Sequence, residues 1–150
     1  MDNMNRSTCS TCEIISESPE DTVAFGQRLG STLLPGSIVS LRGPLGSGKT
    51  MLGKGIAAAL QIDEQITSPT FTLIQEYEGT IPLVHIDLYR IHSTEEFDLL
   101  GAEEFFYGSA VVLVEWSEVI EEYLPDRTIF VDIALDETGR RIIRVRGAEL

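Results

Sequence analysis

The sequence has few basic residues and no long apolar run. Its 150 residues include 11 Lys and Arg against 24 Asp and Glu, a formal net charge of −13 at pH 7. A protein that grips nucleic acid with its own surface needs a basic patch, and docking on an anionic membrane needs clustered Lys and Arg. Both classes are therefore disfavoured. Because no run of about 18 apolar residues is present, we also expect no membrane span.

Cysteine is scarce as well. Cys9 and Cys12 form one CxxC in the polar start of the chain. A structural zinc site needs four ligands, and His85 and His92 are the only histidines that could complete one. We therefore expect two reduced thiols and no zinc. The same start lacks the apolar stretch of a secretory signal, which favours a cytoplasmic protein.

Apolar periodicity divides the rest of the chain into alternating strands and helices. We expect residues 1–11 to form a loose tail and residues 12–150 a single domain, a size that buries a core without disulfides. Strands are predicted over residues 12–16, 37–42, 71–77, 83–89, 110–116, 128–135 and 141–146. Helices are predicted from Ser18 to the Pro35-Gly36 pair, over 50–60 and over 94–100. This alternation predicts an α/β fold, and short turns at 78–80 and 136–139 predict a mixed central sheet flanked by helices.

The helix predicted over 50–60 has an apolar stripe interrupted by glycine. Its inward residues are predicted to be Leu52, Ile56, Ala59 and Leu60. Gly53 and Gly55 each cost a helix about 1 kcal/mol relative to Ala. We therefore expect the middle of this helix to be soft.

A glycine-rich motif lies between the strand ending at Arg42 and this helix. Residues 43–50, GPLGSGKT, fit G-x-x-x-x-G-K-[ST] in full. The glycines let successive backbone N–H groups converge on an anion, and the helix N-terminus adds partial positive charge. Lys49 would reach the β- and γ-phosphates, and the Thr50 hydroxyl would take part in a Mg²⁺ site. This predicts a P-loop NTPase-like fold with phosphates held by Leu45, Gly46, Ser47, Gly48, Lys49, Thr50 and Met51.

Two carboxylates follow apolar strands. Asp87 ends the run LVHID and Glu115 ends VVLVE, and ligands of open α/β sheets bind at the carboxyl ends of the strands. A Mg²⁺-dependent NTPase needs such an acid. The residues alone leave open which carboxylate contacts Mg²⁺ and which one orients water, and either could simply cap the next turn.

Composition favours ATP over GTP. Asparagine occurs only at positions 3 and 5, so the Asn-Lys-x-Asp element that reads guanine in Ras-like GTPases is absent. The Asp-x-x-Gly match at 98–101 lies in an acidic, helix-like stretch, and we interpret it as chance. Residues 91–126 contain ten acids and no Lys or Arg, which suits a phosphorylated acceptor poorly. A nucleotide-switched binding module and a small P-loop kinase are the alternatives to an ATPase.

Four motifs in series carry a family resemblance. They are GPLGSGKT at 43–50, SPTFTL at 68–73, HIDLYR at 85–90 and EWSE at 115–118. Together they resemble the TsaE family, small bacterial ATPases of tRNA threonylcarbamoyladenosine biosynthesis, from about Ser18 to Arg146. Two positions depart from the family: Pro44 stands where members often carry an acid, and Ser117 where many carry proline. Proline lacks an N–H and has a fixed φ, so Pro44 is expected to stiffen the loop.

The resemblance implies roles for matching residues. Thr70 would act as a switch residue near the γ-phosphate, and Asp87 and Glu115 would serve the metal and the attacking water. Trp116 would lie close to the nucleotide, and residues 18–22 would border the adenine. The resemblance also implies work with TsaB and TsaD, where TsaD carries the transfer chemistry, while this chain touches tRNA only indirectly.

Several residues have two interpretations. Trp116 could be plain core, and Thr70 could simply begin a strand. Arg90 could stabilise transition-state charge or pair with a surface acid, which we favour. His85 alternates with Val84 and Ile86, so it faces either the phosphate side or solvent. A basic cluster is interpreted as a solvated sheet edge that discourages strand addition, with a docking patch as the alternative; it consists of Arg140, Arg141, Arg144 and Arg146.

Overall fold

The computed structural model describes residues 11–66, 73–148 and 150. Seven strands in this part of the chain form one sheet: β1 (Thr11–Ser16), β2 (Ile38–Arg42), β3 (Ile74–Tyr77), β4 (Leu83–Asp87), β5 (Val111–Glu115), β6 (Ile129–Leu135) and β7 (Arg141–Arg146). The helices are α1 (Pro19–Gly30), α2 (Lys49–Ala59) and α3 (Thr94–Leu100), with 3₁₀ segments at Glu103–Tyr107 and Ser117–Tyr123. None of the helices in these ranges has the length and apolarity to cross a bilayer. The first two residues of the strand predicted over 71–77 lie outside the described residues.

The sheet is mixed, as predicted. Its order is β1-β7-β6-β2-β5-β4-β3. The four strands β6, β2, β5 and β4 run parallel. Antiparallel pairing joins β1 to β7, β7 to β6 and β3 to β4. Because β7 lies between β1 and β6, its arginines are not on a sheet edge. The interpretation of the basic cluster as a solvated edge is therefore wrong. Strand β1, which is far away in the sequence, pairs with β7 and forms the edge of the sheet.

Apolar layers cover both faces of the sheet. On one face α1 and α2 pack on the strands, with Phe25 and Leu29 of α1 and Leu52 and Ile56 of α2 in the buried cluster. On the other face α3 and the 3₁₀ segments bury a second cluster of aromatic and aliphatic residues. Strand β5 is consequently buried along its whole length, which is what its continuous apolar sequence indicates.

Glycines bring α1 and α2 into backbone contact. A Cβ added to Gly55 would lie 2.1 Å from the carbonyl oxygen of Val23, and one added to Gly26 would lie 2.4 Å from the carbonyl oxygen of Leu52. Only glycine permits this approach. Gly55 of α2 is therefore a packing residue, and the softness of the middle of this helix stays a prediction. Of the predicted inward residues, Leu52, Ile56 and Leu60 are buried as expected, whereas Ala59 is only partly buried and Ala57 is buried in addition.

Candidate nucleotide site

The glycine-rich loop curls as the motif requires. It joins the end of β2 to the start of α2, and Gly43, Gly46 and Gly48 have φ of 156°, 79° and 108°. Residues that carry a side chain rarely adopt these φ values. The loop closes a turn in which the N–H of Ser47 donates to the carbonyl of Pro44 at 3.2 Å. Pro44 therefore supports the turn as an acceptor, and its missing N–H leaves this contact intact.

The N-terminus of α2 points out of this loop. Gly48 caps the helix in the left-handed conformation, and the N–H of Leu52 donates to its carbonyl at 3.0 Å. The N–H groups of residues 49–51 precede this first helical hydrogen bond, so they have no acceptor within the helix. Three N–H donors and the positive end of the helix dipole thus converge where the motif predicts phosphates.

Lys49 lies at the centre of the site. Its ammonium group donates to the carbonyl of Gly43 at 2.8 Å. It also lies 3.9 Å from Oε1 of Glu115 and 3.9 Å from the ring centroid of Trp116. Burial lowers the pKa of Lys49, while the negative charges of Glu115 and Asp87 act in the opposite direction. The cation is therefore held at the loop by a carbonyl, a carboxylate and an aromatic face.

The two predicted carboxylates lie side by side. Asp87 of β4 is in register with Glu115 of β5, so parallel strands bring both to one edge of the sheet. An oxygen of Asp87 accepts from the N–H of Tyr89 at 3.0 Å. Burial raises the pKa of Asp87, and the charge of Glu115 raises it further, although the hydrogen bond from Tyr89 lowers it. Glu115 is the more enclosed of the two, with 4% of its surface exposed.

His85 faces the phosphate side of the sheet and not solvent, which decides between the two predicted orientations. Its Nε2 lies 2.6 Å from Oε2 of Glu115, and both side chains are buried. Among the described residues, Nδ1 of His85 has no hydrogen-bond partner. The imidazole therefore holds one oxygen of Glu115 while the other faces Lys49.

Lys49, Asp87 and Glu115 line one cavity of about 430 Å³. Of the predicted site residues, it is lined by Leu45, Gly46, Gly48, Lys49, Thr50, Met51, Asp87, Glu115 and Trp116. Ser47, which belongs to the loop, is buried, and its hydroxyl has no hydrogen-bond partner within the described part of the chain. Thr70 lies outside the described residues. Sequence reasoning did not place Tyr89 or Arg141 here, although both line the cavity.

Trp116 forms a wall of this cavity as well as packing on the core. It follows β5 with φ of 59°, a conformation that is uncommon for a non-glycine residue and costs of order 1–3 kcal/mol. Its ring contacts that of Tyr89, with centroids 5.0 Å apart. The left-handed turn thus aims the indole back towards Lys49. Trp116 also contacts the second apolar cluster, so both interpretations of this residue describe part of its surroundings.

The start of α1 borders the same cavity. Ser18 caps the helix by accepting from the N–H of Asp21 at 3.0 Å, and Pro19 lines the cavity. A neighbouring hollow of about 350 Å³ is shared by Pro19 and Met51 and continues along α1. Arg90, which follows Tyr89, is exposed, and its role stays a prediction.

The donors suit a magnesium ion that keeps much of its water. Within the described ranges, no three His, Cys, Asp or Glu residues are grouped as a metal cage. A divalent cation at this loop would be held by the Thr50 hydroxyl and by Asp87, Glu115 or both. Mg²⁺ prefers one or two carboxylates together with water and phosphate oxygens, so the residues present fit it.

Fold and site together define a class of protein. A strand, a phosphate-binding loop and a helix, with carboxylates at the ends of neighbouring parallel strands, make this a P-loop NTPase-like protein. The crystal structure of Bacillus subtilis YdiB agrees, with a TM-score of 0.77 at 35% identity, covering 92% of this chain and 86% of that one.

Sequence comparisons identify the family. The family model "Threonylcarbamoyl adenosine biosynthesis protein TsaE" matches residues 16–143. The tRNA threonylcarbamoyladenosine biosynthesis protein TsaE of Treponema pallidum is 43% identical over 131 residues, which is 87% of this chain and 97% of the relative. The protein of the same name from Bacillus subtilis is 43% identical over 116 residues, 77% of this chain and 72% of the relative. The chain belongs to the TsaE family, and its role lies in tRNA threonylcarbamoyladenosine biosynthesis.

Proposed function

We propose that this chain is a cytoplasmic Mg²⁺-dependent ATPase that supports threonylcarbamoyl modification of adenosine in tRNA, together with TsaB and TsaD homologues. In this proposal residues 12–150 act as one ATPase domain. The observation that carries it is the position of the Lys49 ammonium, 2.8 Å from the Gly43 carbonyl and 3.9 Å from Glu115. A buried cation at the N-terminus of α2, facing a strand-end carboxylate, is arranged for a nucleotide polyphosphate and its metal.

The proposal assigns a role to each part of the site. Residues 45–51 bind the phosphates, with the N–H groups of residues 49–51 among the donors, and Lys49 neutralises charge on the β- and γ-phosphates. Thr50 and one of the strand-end carboxylates hold Mg²⁺, which when bound would neutralise charge on the phosphate oxygens. The other carboxylate of the Asp87 and Glu115 pair orients the attacking water. Thr70 remains the proposed switch residue.

The adenosine half of the nucleotide is proposed to lie along α1. The hollow shared by Pro19 and Met51 is about 350 Å³ in volume, and it adjoins the phosphate loop at the start of the helix. Its lining includes the aliphatic side chain of Val23, which suits the face of a base. Trp116 would contact the phosphate end of the nucleotide, and the adenosine half would lie away from it along α1.

Lysine substitutions test nucleotide binding. Lys49→Ala should raise the Kd for Mg·ATP roughly 100-fold, since a charge-assisted contact to phosphate is lost. Lys54→Ala, which removes the only other lysine, is the matched control and should bind normally. Lys49→Ala should also fail to support growth of a strain that lacks the gene. Unchanged binding and growth with Lys49→Ala would sink the proposal.

Hydrolysis is tested with the protein alone and with its TsaB and TsaD partners. We expect the partners to stimulate Mg²⁺-dependent hydrolysis, and Glu115→Gln to retain ATP binding while turnover stops. Tight ATP binding without stimulated hydrolysis would favour a nucleotide-switched binding module. Transfer of labelled γ-phosphate to a metabolite instead of water would identify a small kinase.

A further inference from the structure

Arg141, the first residue of β7, lies across the phosphate loop. Its Nε donates to the carbonyl of Ser47 at 2.8 Å. A Cβ added to Gly48 would lie 2.9 Å from the same Nε, so the guanidinium covers the place that a side chain at position 48 would take. Arg141 also lines the cavity that holds Lys49 and Thr50. A second cation therefore contacts the loop from outside its own motif.

The charge of Arg141 has no carboxylate partner among the described residues. Other arginines of the chain form ion pairs, including Arg42 with Glu121 at 3.0 Å and Arg140 with Asp136 at 2.9 Å. Arg144 likewise pairs with Glu13 at 2.6 Å. Arg141 instead uses one N–H donor for a backbone carbonyl. A guanidinium group has five N–H donors. In a chain with a net charge of −13, a half-buried arginine without an acid in range is suited to an anionic ligand.

The sheet order fixes the side of the loop from which Arg141 approaches. Strands β6 and β7 lie on one side of β2, whereas β5 and β4, which carry Glu115 and Asp87, lie on the other. The carboxylates and Arg141 therefore approach the loop from opposite sides of β2. Arg141 covers Ser47 and Gly48, in the part of the loop whose N–H groups cradle the α- and β-phosphates in proteins with this motif.

We propose that Arg141 is a second phosphate-binding residue, whose guanidinium binds α- and β-phosphate oxygens of a nucleoside di- or triphosphate. This inference rests on the proposed nucleotide binding. It implies that Arg141 contributes equally to ATP and ADP binding. Lys49, by contrast, also reaches the γ-phosphate. The planar fork of an arginine matches two phosphate oxygens better than an ammonium does.

The test compares arginine variants on the same strand. Titrations of Mg·ADP and Mg·ATP are measured calorimetrically for Arg141→Gln, Arg141→Lys and Arg144→Gln, which loses the same charge from an exposed ion pair. We expect Arg141→Gln to raise both Kd values by a similar factor, roughly 10- to 100-fold. Arg141→Lys should lie between the wild type and Arg141→Gln, and Arg144→Gln should bind as the wild type does.

The outcomes separate this inference from the function beneath it. If Arg141→Gln binds both nucleotides as tightly as the wild type does while Lys49→Ala is still defective, only the proposed role of Arg141 is overturned. Equal weakening by Arg144→Gln would overturn it too, because the effect would then be one of net charge. A drop in thermal stability of the ligand-free protein that Arg141→Lys fails to restore would reduce Arg141 to a loop support. A wild type that binds neither nucleotide would instead remove the proposed function.

Discussion

At the scale of single residues, the site depends on how Glu115 is held. One carboxylate oxygen lies 2.6 Å from Nε2 of His85, and the other lies 3.9 Å from the ammonium of Lys49. An ionised carboxylate can only accept hydrogen bonds, so a hydrogen bond between an ionised Glu115 and His85 requires the hydrogen on Nε2. Buried on both sides, Glu115 has little freedom to turn. This contact suits His85 to hold Glu115 in position in the proposed site.

Removing the imidazole tests this arrangement. We expect His85→Ala to lower kcat for ATP hydrolysis roughly 10- to 100-fold, the range typical of lost supporting contacts at catalytic sites, with a smaller change in the KM for ATP. His85→Gln, whose amide can still donate, should recover part of the rate. His92→Ala, which removes the other, exposed histidine, is the control. An unaltered kcat in His85→Ala would show that Glu115 keeps its position unaided.

The sequence predicts only part of this residue-scale picture. Lys49, Thr50, Asp87 and Glu115 could be placed because a local motif or a strand end marks each one. Arg141 could not, because its contact with Ser47 joins positions 94 residues apart. The pairing of His85 with Glu115 likewise depends on two strands meeting in register. Contacts of this kind leave no local pattern in the chain.

At the scale of secondary structure, the contact of α1 with α2 decides what glycine does. The two glycines of α2 differ sharply in their surroundings. A Cβ on Gly55 would meet the Val23 carbonyl oxygen at 2.1 Å, whereas one on Gly53 would meet the Leu113 side chain at 3.4 Å. The first distance requires the helices to separate, and the second is an ordinary contact.

A pair of alanine variants therefore gives opposite predictions. Gly55→Ala should lower the free energy of unfolding by about 1–3 kcal/mol or more, since overpacking forces the backbone to shift. Gly53→Ala should be neutral or raise it by up to about 1 kcal/mol through better helix propensity. Urea denaturation measures both. Equal stability of the two variants would contradict the close approach of the helices.

The turn between β6 and β7 carries a prediction about pH. The carboxylate of Asp136 accepts from the hydroxyl and N–H of Thr138 and from the N–H and Nε of Arg140, all at 2.8–2.9 Å. The hydroxyl of Thr138 is the main cause that lowers the pKa of Asp136 from 3.8 to about 2. Because the pKa of Asp136 is lower in the folded state, its carboxylate stabilises the turn at pH values above the unfolded-state pKa. This contribution is lost as the pH falls towards about 2.

Carboxyl chemical shifts followed by NMR between pH 5 and pH 1 measure this directly. We expect Asp136 to titrate near pH 2, and Thr138→Val to move its midpoint towards 3.8. The loss of turn stability should follow the same window. A midpoint near 3.8 in the wild type would mean that the hydroxyl and guanidinium contacts do not persist in solution.

Elements were easier to predict than their neighbours in the sheet. Alternation and caps located the strands and helices within a few residues, because local patterns and local hydrogen bonds govern where they begin and end. Ser93 caps α3 by accepting from the N–H of Glu96 at 3.2 Å. The place of β7 was mispredicted because it depends on β1, more than a hundred residues earlier, closing the sheet beside it.

At the scale of the whole molecule, charge is distributed unevenly around the cavity. The stretch 91–126 carries ten acids and no Lys or Arg, and its α3 and 3₁₀ segments cover one face of the sheet. On the other side, the arginines of β7 are mostly engaged. Arg144 pairs with Glu13, and Arg146 stacks on Phe130 at 4.5 Å from the ring centroid. Each of these two arginines of β7 thus already has a partner within the described part of the chain.

We therefore predict that the isolated chain does not retain tRNA in gel-shift titrations at about 0.15 M salt, where affinity for nucleic acid depends on the number of phosphates neutralised. A mixture with TsaB and TsaD homologues should retain tRNA whether or not this chain is present, if its contact with tRNA is only indirect. Submicromolar binding by the chain alone would contradict the prediction. Loss of such binding in an Arg144→Glu, Arg146→Glu double variant would then identify the basic cluster of β7 as the docking patch that its composition first suggested. It would also show that this acidic protein binds RNA directly.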